Sequence, residues 1–227
     1  MIASLQDVDG HITIPGFYDR VRMLSVEERE EFAKIPFDRE AWLRDAGVSA
    51  DWGEPAYTIL ERAKARPTLD VNGIWGGYIE PGAKTVLPSK AYAKISMRLV
   101  PDQDPKTITR LVSEHLKAIA PPTIQVEVRD LHGGSAAIVR RDSRAMQAAF
   151  QAYGEAFGID PVFTREGGSI PVVATFQEAL GIETILMGFG LPDDNLHAPN
   201  EKFHLPNFYR GVETVIRFMA LLGVEES

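Results

Sequence analysis

The residues with the most chemical potential stand in two polar loops, each following a short apolar run. The loop after TILMGF reads GFGLPDDNLHAPNEKF and carries His197 with Asp193, Asp194 and Glu201 nearby. A neutral imidazole is a zinc donor, and carboxylates behind it can orient such a donor. Polar groups just past the C-terminal end of an apolar strand also lie where open α/β sheets hold their ligands. The plainer reading of the same stretch is an Asx-rich loop that caps the final helix. The second loop, REGGSIPV, sets Gly167 and Gly168 where backbone can approach a ligand closely. Ser169 can donate there from the start of a helix, although an ordinary helix terminus looks the same. Ser169 has no G-x-S-x-G setting, which argues against a serine hydrolase.

Two further candidates lie upstream. Arg98 falls on the polar side of an alternating run, and a guanidinium on a rigid strand suits bidentate capture of a carboxylate. Most arginines in such positions are simply solvated. His132, in LHGGSA, stands beside two glycines near a domain junction, where a hydrogen-bonding role is the plainer one.

The elements that must position these residues are legible from periodicity. Asp9-Gly10 marks a short hairpin. Ser25 and Glu28 form a capping box for SVEEREEFAKI, which Pro36 stops, and Asp38 caps a second helix closed by Gly47. Residues 68–74 alternate into the Gly76-Gly77 turn. Ala91, Ala93, Ile95, Met97 and Leu99 then share one face of a strand, with Tyr92, Lys94, Ser96 and Arg98 on the other. Asp104-Pro105 opens a helix with Ile108, Leu111, Val112, Leu116 and Ile119 on its apolar stripe. Ile124, Val126 and Val128 predict another half-buried strand. Downstream, a helix carries Met146, Ala149, Phe150, Tyr153 and Phe157; strand PVFTR, a helix near 172–180 and strand TILMGF follow. A last helix, 206–222, is expected to turn Phe208, Val212, Val215, Ile216 and Met219 inward. The rhythm changes from an α+β unit to a three-layer α/β piece near residue 140.

Bulk properties narrow the classes. The chain has 227 residues, 44% of them hydrophobic, enough for one large core or two small ones. A net charge of −8 disfavours nucleic acid and anionic membranes as partners. The absence of cysteine rules out disulfides, thiolate metal sites and cysteine nucleophiles. No basic n-region opens the chain, and no apolar run approaches the roughly 20 residues a membrane helix needs. A cytoplasmic location is the expectation.

Taken in order, GAKTVLPSKAYAKISMRLVPDQDP, LHGG, REGGSIPVVATFQE and GFGLPDDNLHAPNEKFHLPNFYRG closely resemble the carnosinase-like branch of the zinc-dependent aminoacylase, carboxypeptidase and dipeptidase family. The resemblance covers essentially the whole chain. It implies an α+β lid domain (a sheet with helices on one face) over 1–140, lacking its N-terminal part. A C-terminal piece of a three-layer α/β zinc-peptidase catalytic domain would occupy 141–227. It implies two zinc ions (manganese or cobalt being possible substitutes), dipeptide or N-acyl amino acid substrates, and a homodimer formed through the lid. By the same resemblance His197 is a metal ligand and Arg98 holds the substrate carboxylate. Thr85 and Ser169 hydrogen-bond the substrate, His132 contacts it, and Gly168 lines the pocket through its backbone.

The sequence also departs from that pattern. The family's H-x-D motif, bridging Asp, Glu-Glu pair and further acidic ligand stand upstream of the lid. Here His11 is followed by Ile12 and Thr13, and Glu27-Glu28 and Glu30-Glu31 lie in a capped, charged helix. The reading therefore expects the chain to begin inside the lid, to contain no catalytic residue of its own, and to be inactive without a missing N-terminal half. The alternative is a non-catalytic dimerisation or small-molecule-binding module derived from that family.

Overall fold

The computed structural model describes residues 1–165 and 171–223. The chain divides into two compact units: the first is Met1–Ala137 with Thr164–Ala174, the second Ile138–Phe163 with Thr175–Ser227. Thr164, Arg165, Val173 and Ala174 thus group with the first unit although they lie in the C-terminal half of the sequence.

In the first unit, a bridge between Gln6 and Ile12 closes the small hairpin around Gly10, whose φ of +78° is cheap only for glycine. Helix α1 (Val26–Ala33) carries the capping box of Ser25 and Glu28. Helix α2 (Arg39–Ala46) starts on Asp38 and ends on Gly47 in the left-handed region, as the residue types dictate. Helix α3 (Ile59–Ala65) has its own capping box, Thr58 with Glu61.

Strands β1 (Asp70–Gly76) and β2 (Ala91–Ser96) form an antiparallel pair, with a register shift between Val71 and Gly73. One face stacks Trp75 on Tyr92 at 5.1 Å. On the other face and its extension, Ile95, Met97 and Leu99 meet helix α4 (Pro105–Ala118). Ile108, Val112 and Leu116 of α4 are buried with Leu5, Ile12, Ile14, Phe17 and Leu69 in one core. Burying this many aliphatic and aromatic side chains, at roughly 1.5–3 kcal/mol each, is what holds the unit together.

The predicted strand at 124–128 is only half realised. Val126 and Val128 pack on the core as the alternation requires, but the segment joins no ladder among the described residues.

The second unit is built on helices α5 (Arg144–Phe157) and α7 (Leu205–Gly223), which pack together. Ser143 caps α5, and Gly158 ends it in the left-handed region. Between them Tyr153, Phe157 and Phe189 stack, with ring centroids 5.1 and 6.3 Å from Phe189. Gly211 of α7 lies against Phe189 so closely that an added Cβ would sit 3.1 Å from its ring. Helix α6 (Pro171–Leu180) starts in the first unit, where Val173 and Ala174 are buried, and continues into the second from Thr175.

Two expectations fail in this unit. PVFTR and TILMGF form no paired strand among the described residues. The α7 residues expected inward are exposed, Ile216 at 63% and Met219 at 67%. The side of α7 that packs on α5 is lined by its small residues, Gly211 and Thr214, while its bulky residues are left outside. No described helix is long and apolar enough to cross a membrane.

Candidate functional site

In the second unit, the chain leaves Phe189 and enters the His197 loop. Asn207 of α7 donates to the Phe189 carbonyl at 3.1 Å and fixes the loop's base. Asp194 is 1% exposed, and its carboxylate accepts from the Leu191 backbone N–H at 2.7 Å. Its own carbonyl accepts from Lys202 N–H at 3.0 Å and closes the loop. The other carboxylate oxygen of Asp194 is buried without a hydrogen bond, with the Lys202 ammonium 4.0 Å away. Lys202 instead reaches Asp193 at 2.5 Å, and that hydrogen bond holds the Asp193 carboxyl below its ordinary range.

Of the carboxylates expected behind His197, Asp193 pairs with Lys202 and one oxygen of Asp194 is taken by the Leu191 N–H. What they build is a fixed frame for 195–200. His197 adopts φ +61°, flanked by Asn195 at +53° and Asn200 at +63°. Asparagine and histidine are among the non-glycine residues found there most often, although a left-handed L-residue still costs roughly 1–2 kcal/mol. Strain held by a surrounding frame is a feature of functional loops. The His197 side chain is exposed, and no hydrogen bond or ion pair engages its ring among the described residues.

Whether these residues fit a metal can be judged on donors alone. Catalytic zinc sites use three protein ligands. No group of three His, Asp or Glu side chains converges among the described residues. His197 supplies one suitable donor, and the described part of this chain does not by itself make a metal site.

In the first unit, Arg98 lies two residues past the end of β2. Its backbone is clipped to Thr68 in both directions: Thr68 N–H donates to the Arg98 carbonyl at 3.0 Å, and Arg98 N–H donates to the Thr68 hydroxyl at 3.4 Å. The guanidinium is exposed and forms no ion pair among the described residues. That contrasts with Arg22, Arg66 and Arg165, each bonded to a carboxylate. Thr85 is exposed in the long connection between β1 and β2, and His132 is exposed in the extended stretch after α4. No side-chain bond joins Arg98, Thr85 and His132 to one another. Gly168 and Ser169 lie outside the described residues.

The sequence reading missed the ionic network of this unit. Arg66 bonds Glu54 through two nitrogens at 2.6 and 2.7 Å and stacks over Tyr18 and Tyr57. His11 Nδ1 lies 3.2 Å from the same Glu54, its ring stacked on Tyr18 at 4.1 Å. Burial pushes the Glu54 carboxyl up, but Arg66 and His11 outweigh it and hold it below its ordinary range. The concavity along residues 11–19 contains none of the expected site residues. These partners are far apart in sequence, and no local pattern announces them.

Comparison with known proteins fits this geometry into a family. Residues 9–221 match peptidase family M20/M25/M40. Cys-Gly metallodipeptidase DUG1 of Saccharomyces cerevisiae is 34% identical over 224 residues, covering 96% of this chain and 46% of that protein. Beta-Ala-His dipeptidase of Homo sapiens is 31% identical, over 96% of this chain and 44% of its own length. Among solved structures, the M20 family metallo-carboxypeptidase Sso-CP2 from Sulfolobus solfataricus superposes with a TM-score of 0.84 at 30% identity, over 97% of this chain and 50% of that one. The chain spans about half the length of these relatives. It belongs to peptidase family M20/M25/M40, within the carnosinase-like group.

Proposed function

We propose that this chain is the substrate-binding and metal-completing C-terminal portion of a metal-dependent dipeptidase. On this reading residues 1–140 are the lid, which also pairs with a second copy to form a homodimer. Residues 141–227 are the C-terminal segment of the catalytic domain. His197 contributes one ligand to a metal cluster, zinc by preference, whose other ligands and general base come from polypeptide matching the remaining half of the relatives. When bound, the metal would polarise the scissile carbonyl and activate a water.

This chain's own residues would bind and orient. Arg98 would receive the terminal carboxylate of a dipeptide or N-acyl amino acid in a two-pronged ion pair. Thr85, His132 and Ser169 would hydrogen-bond its backbone, and Gly168 would let the substrate pass close to the main chain. Anchoring a substrate at its carboxylate converts a random encounter into a fixed pose.

One observation carries the reading. In a chain matching the peptidase family over residues 9–221, the exposed imidazole of His197 is held at φ +61° by a loop fastened through Asp194 to the Leu191 N–H and through Asp193 to Lys202.

The test is hydrolysis of several dipeptides with added zinc or manganese. The chain is assayed alone and mixed with a separately expressed polypeptide matching the other half of the relatives. Turnover is expected only in the mixture, and His197→Ala should abolish it. Turnover by the chain alone at an ordinary dipeptidase rate would refute the division of labour. A mixture that binds metal and turns over equally well with His197→Ala would refute the ligand role.

A further inference from the structure

We infer that Asp70 is a specificity-determining residue that selects a basic side chain, lysine or arginine, on the substrate residue whose carboxylate Arg98 receives. The inference rests on the reading of Arg98 as the carboxylate anchor.

The register of the β-pair carries it. Asp70 of β1 stands directly opposite Ser96 of β2, and the Thr68–Arg98 bonds continue the same register by one more outward row. Opposite residues of an antiparallel pair project from one face, and Leu69, Ile95, Met97 and Leu99 take the inner one. Thr68, Asp70, Ser96 and Arg98 therefore share the outer face, with Asp70 on the diagonal to Arg98 at roughly 7–8 Å.

The two opposite charges do not neutralise each other. Neither Arg98 nor Asp70 forms an ion pair among the described residues, and both are exposed. The Thr68 hydroxyl donates to Asp70 Oδ2 at 2.6 Å while it accepts the Arg98 N–H at 3.4 Å, so one side chain fixes both neighbours. Lys94, the next outward residue of β2, sets its ammonium over the Trp75 ring, 5.8 Å from the centroid. Ser96 is small, and Gly73, opposite Lys94, has no side chain, so the row beside Asp70 is open.

A substrate carboxylate seated on Arg98 has the Asp70 carboxylate one row away. An acidic side chain on the same residue adds to that repulsion, and a basic one offsets it. The four-carbon stem of lysine spans such a diagonal and keeps its charge at the water-facing end. The exposed Trp75–Tyr92 stack is excluded as the selector by distance. Tyr92 lies six residues along the strand from Arg98, roughly 20 Å, beyond the reach of one residue.

The experiment is an NMR titration of the full chain at low salt with Nα-acetyl-lysine, Nα-acetyl-norleucine and Nα-acetyl-glutamate. None of these has a free α-amine, so the lysine side chain is the sole cation among them. The lysine derivative should bind about threefold more tightly than the norleucine one, and the glutamate one least. Asp70→Asn, which keeps an oxygen for Thr68, should bring lysine and norleucine derivatives together. Asp70→Lys should make the glutamate derivative the tightest, and salt near 1 M should erase the wild-type preference. Arg98→Ala should weaken all three. Equal wild-type affinity for the lysine and norleucine derivatives, or a lysine preference that survives Asp70→Asn, overturns the inference and leaves Arg98 as the anchor. A preference lost in Asp70→Asn, with every affinity unchanged by Arg98→Ala, upholds Asp70 as the selector and removes Arg98 from its role. Binding of none of the probes overturns both.

Discussion

The two units of this chain solve the problem of burial differently. In the first, a nine-residue core lies against the inner face of a β-pair and one amphipathic helix, fastened by Arg66–Glu54 and Arg165–Glu28. In the second, α5 and α7 meet over a stack of aromatic rings, yet Phe208, Val212, Ile216 and Met219 of α7 lie in the open. An exposed apolar face of that extent marks a surface that another element covers. The first unit also leaves apolar side chains in water, Ile79 and Leu87 among them, but it closes a core of large side chains, whereas the second buries mainly small residues of α5 and α7. The units should respond unequally to the same kind of damage.

The largest effect is expected from Arg66→Met. Removing the guanidinium leaves the poorly solvated Glu54 with only the His11 ring beside it, and breaking such a pair from one side costs up to about 3–5 kcal/mol. All three tryptophans, Trp42, Trp52 and Trp75, lie in the first unit, so their fluorescence in a urea titration reads this loss directly. A shift below about 1 kcal/mol would mean the pair is not what fastens the N-terminal hairpin to the rest of the unit.

Next is Asp194→Ala in the second unit. The Leu191 N–H would lose its acceptor in a half-buried position, at about 1 kcal/mol. The frame that holds His197 in the left-handed region would relax with it. Faster amide exchange over 190–202, with α4 unchanged, is the expected pattern. Exchange rising equally in α4 would erase the distinction between the units.

Acid should separate them as well. Hydrogen bonds from Arg39 and Arg62 hold Asp51 down at about 2, and Glu54 also lies below its ordinary value in the folded state. Folded-state values below the unfolded ones give stability that is complete above the unfolded pKa and is lost as pH falls through the folded one. Tryptophan-detected stability should hold down to about pH 4.5 and then fall continuously toward pH 2. A loss centred above about pH 5.5 would mean that these carboxylates are not what acid acts on.

How much of this was legible in sequence depends on the range of the signal. Caps and periodicity are local, so α1, α2 and α4 begin on Ser25, Asp38 and Asp104 as read, while the caps Thr58 and Ser143 were passed over. Family motifs brought out His197 and Arg98, because long ordered matches survive where single residues are ambiguous. Arg165–Glu28 and Arg66–Glu54 went unseen because side chains that meet only through the fold leave no spacing to read. The strands at 124–128, PVFTR and TILMGF show the converse limit. Alternation and apolar content specify which face is buried, but a ladder needs a neighbouring edge, and β-propensity does not supply one.

The smallest effect sharpens the comparison most. Ile216→Ser with Met219→Ser removes two large apolar groups from α7, while Val112→Ser removes one from α4. In the first unit the serine hydroxyl would sit in a core where Val112 is 5% exposed, at a cost of about 2–4 kcal/mol. On α7 both side chains already meet water, so the chain alone should change by less than about 0.5 kcal/mol. It should also associate less at high concentration, as sedimentation would register. In the mixture with the complementary half-length polypeptide, the same pair of serines should weaken complex formation, because the area they remove is then buried. If the two serines instead destabilise the chain alone as much as Val112→Ser does, α7 is already covered within it. The two units would then be alike in closing their own cores.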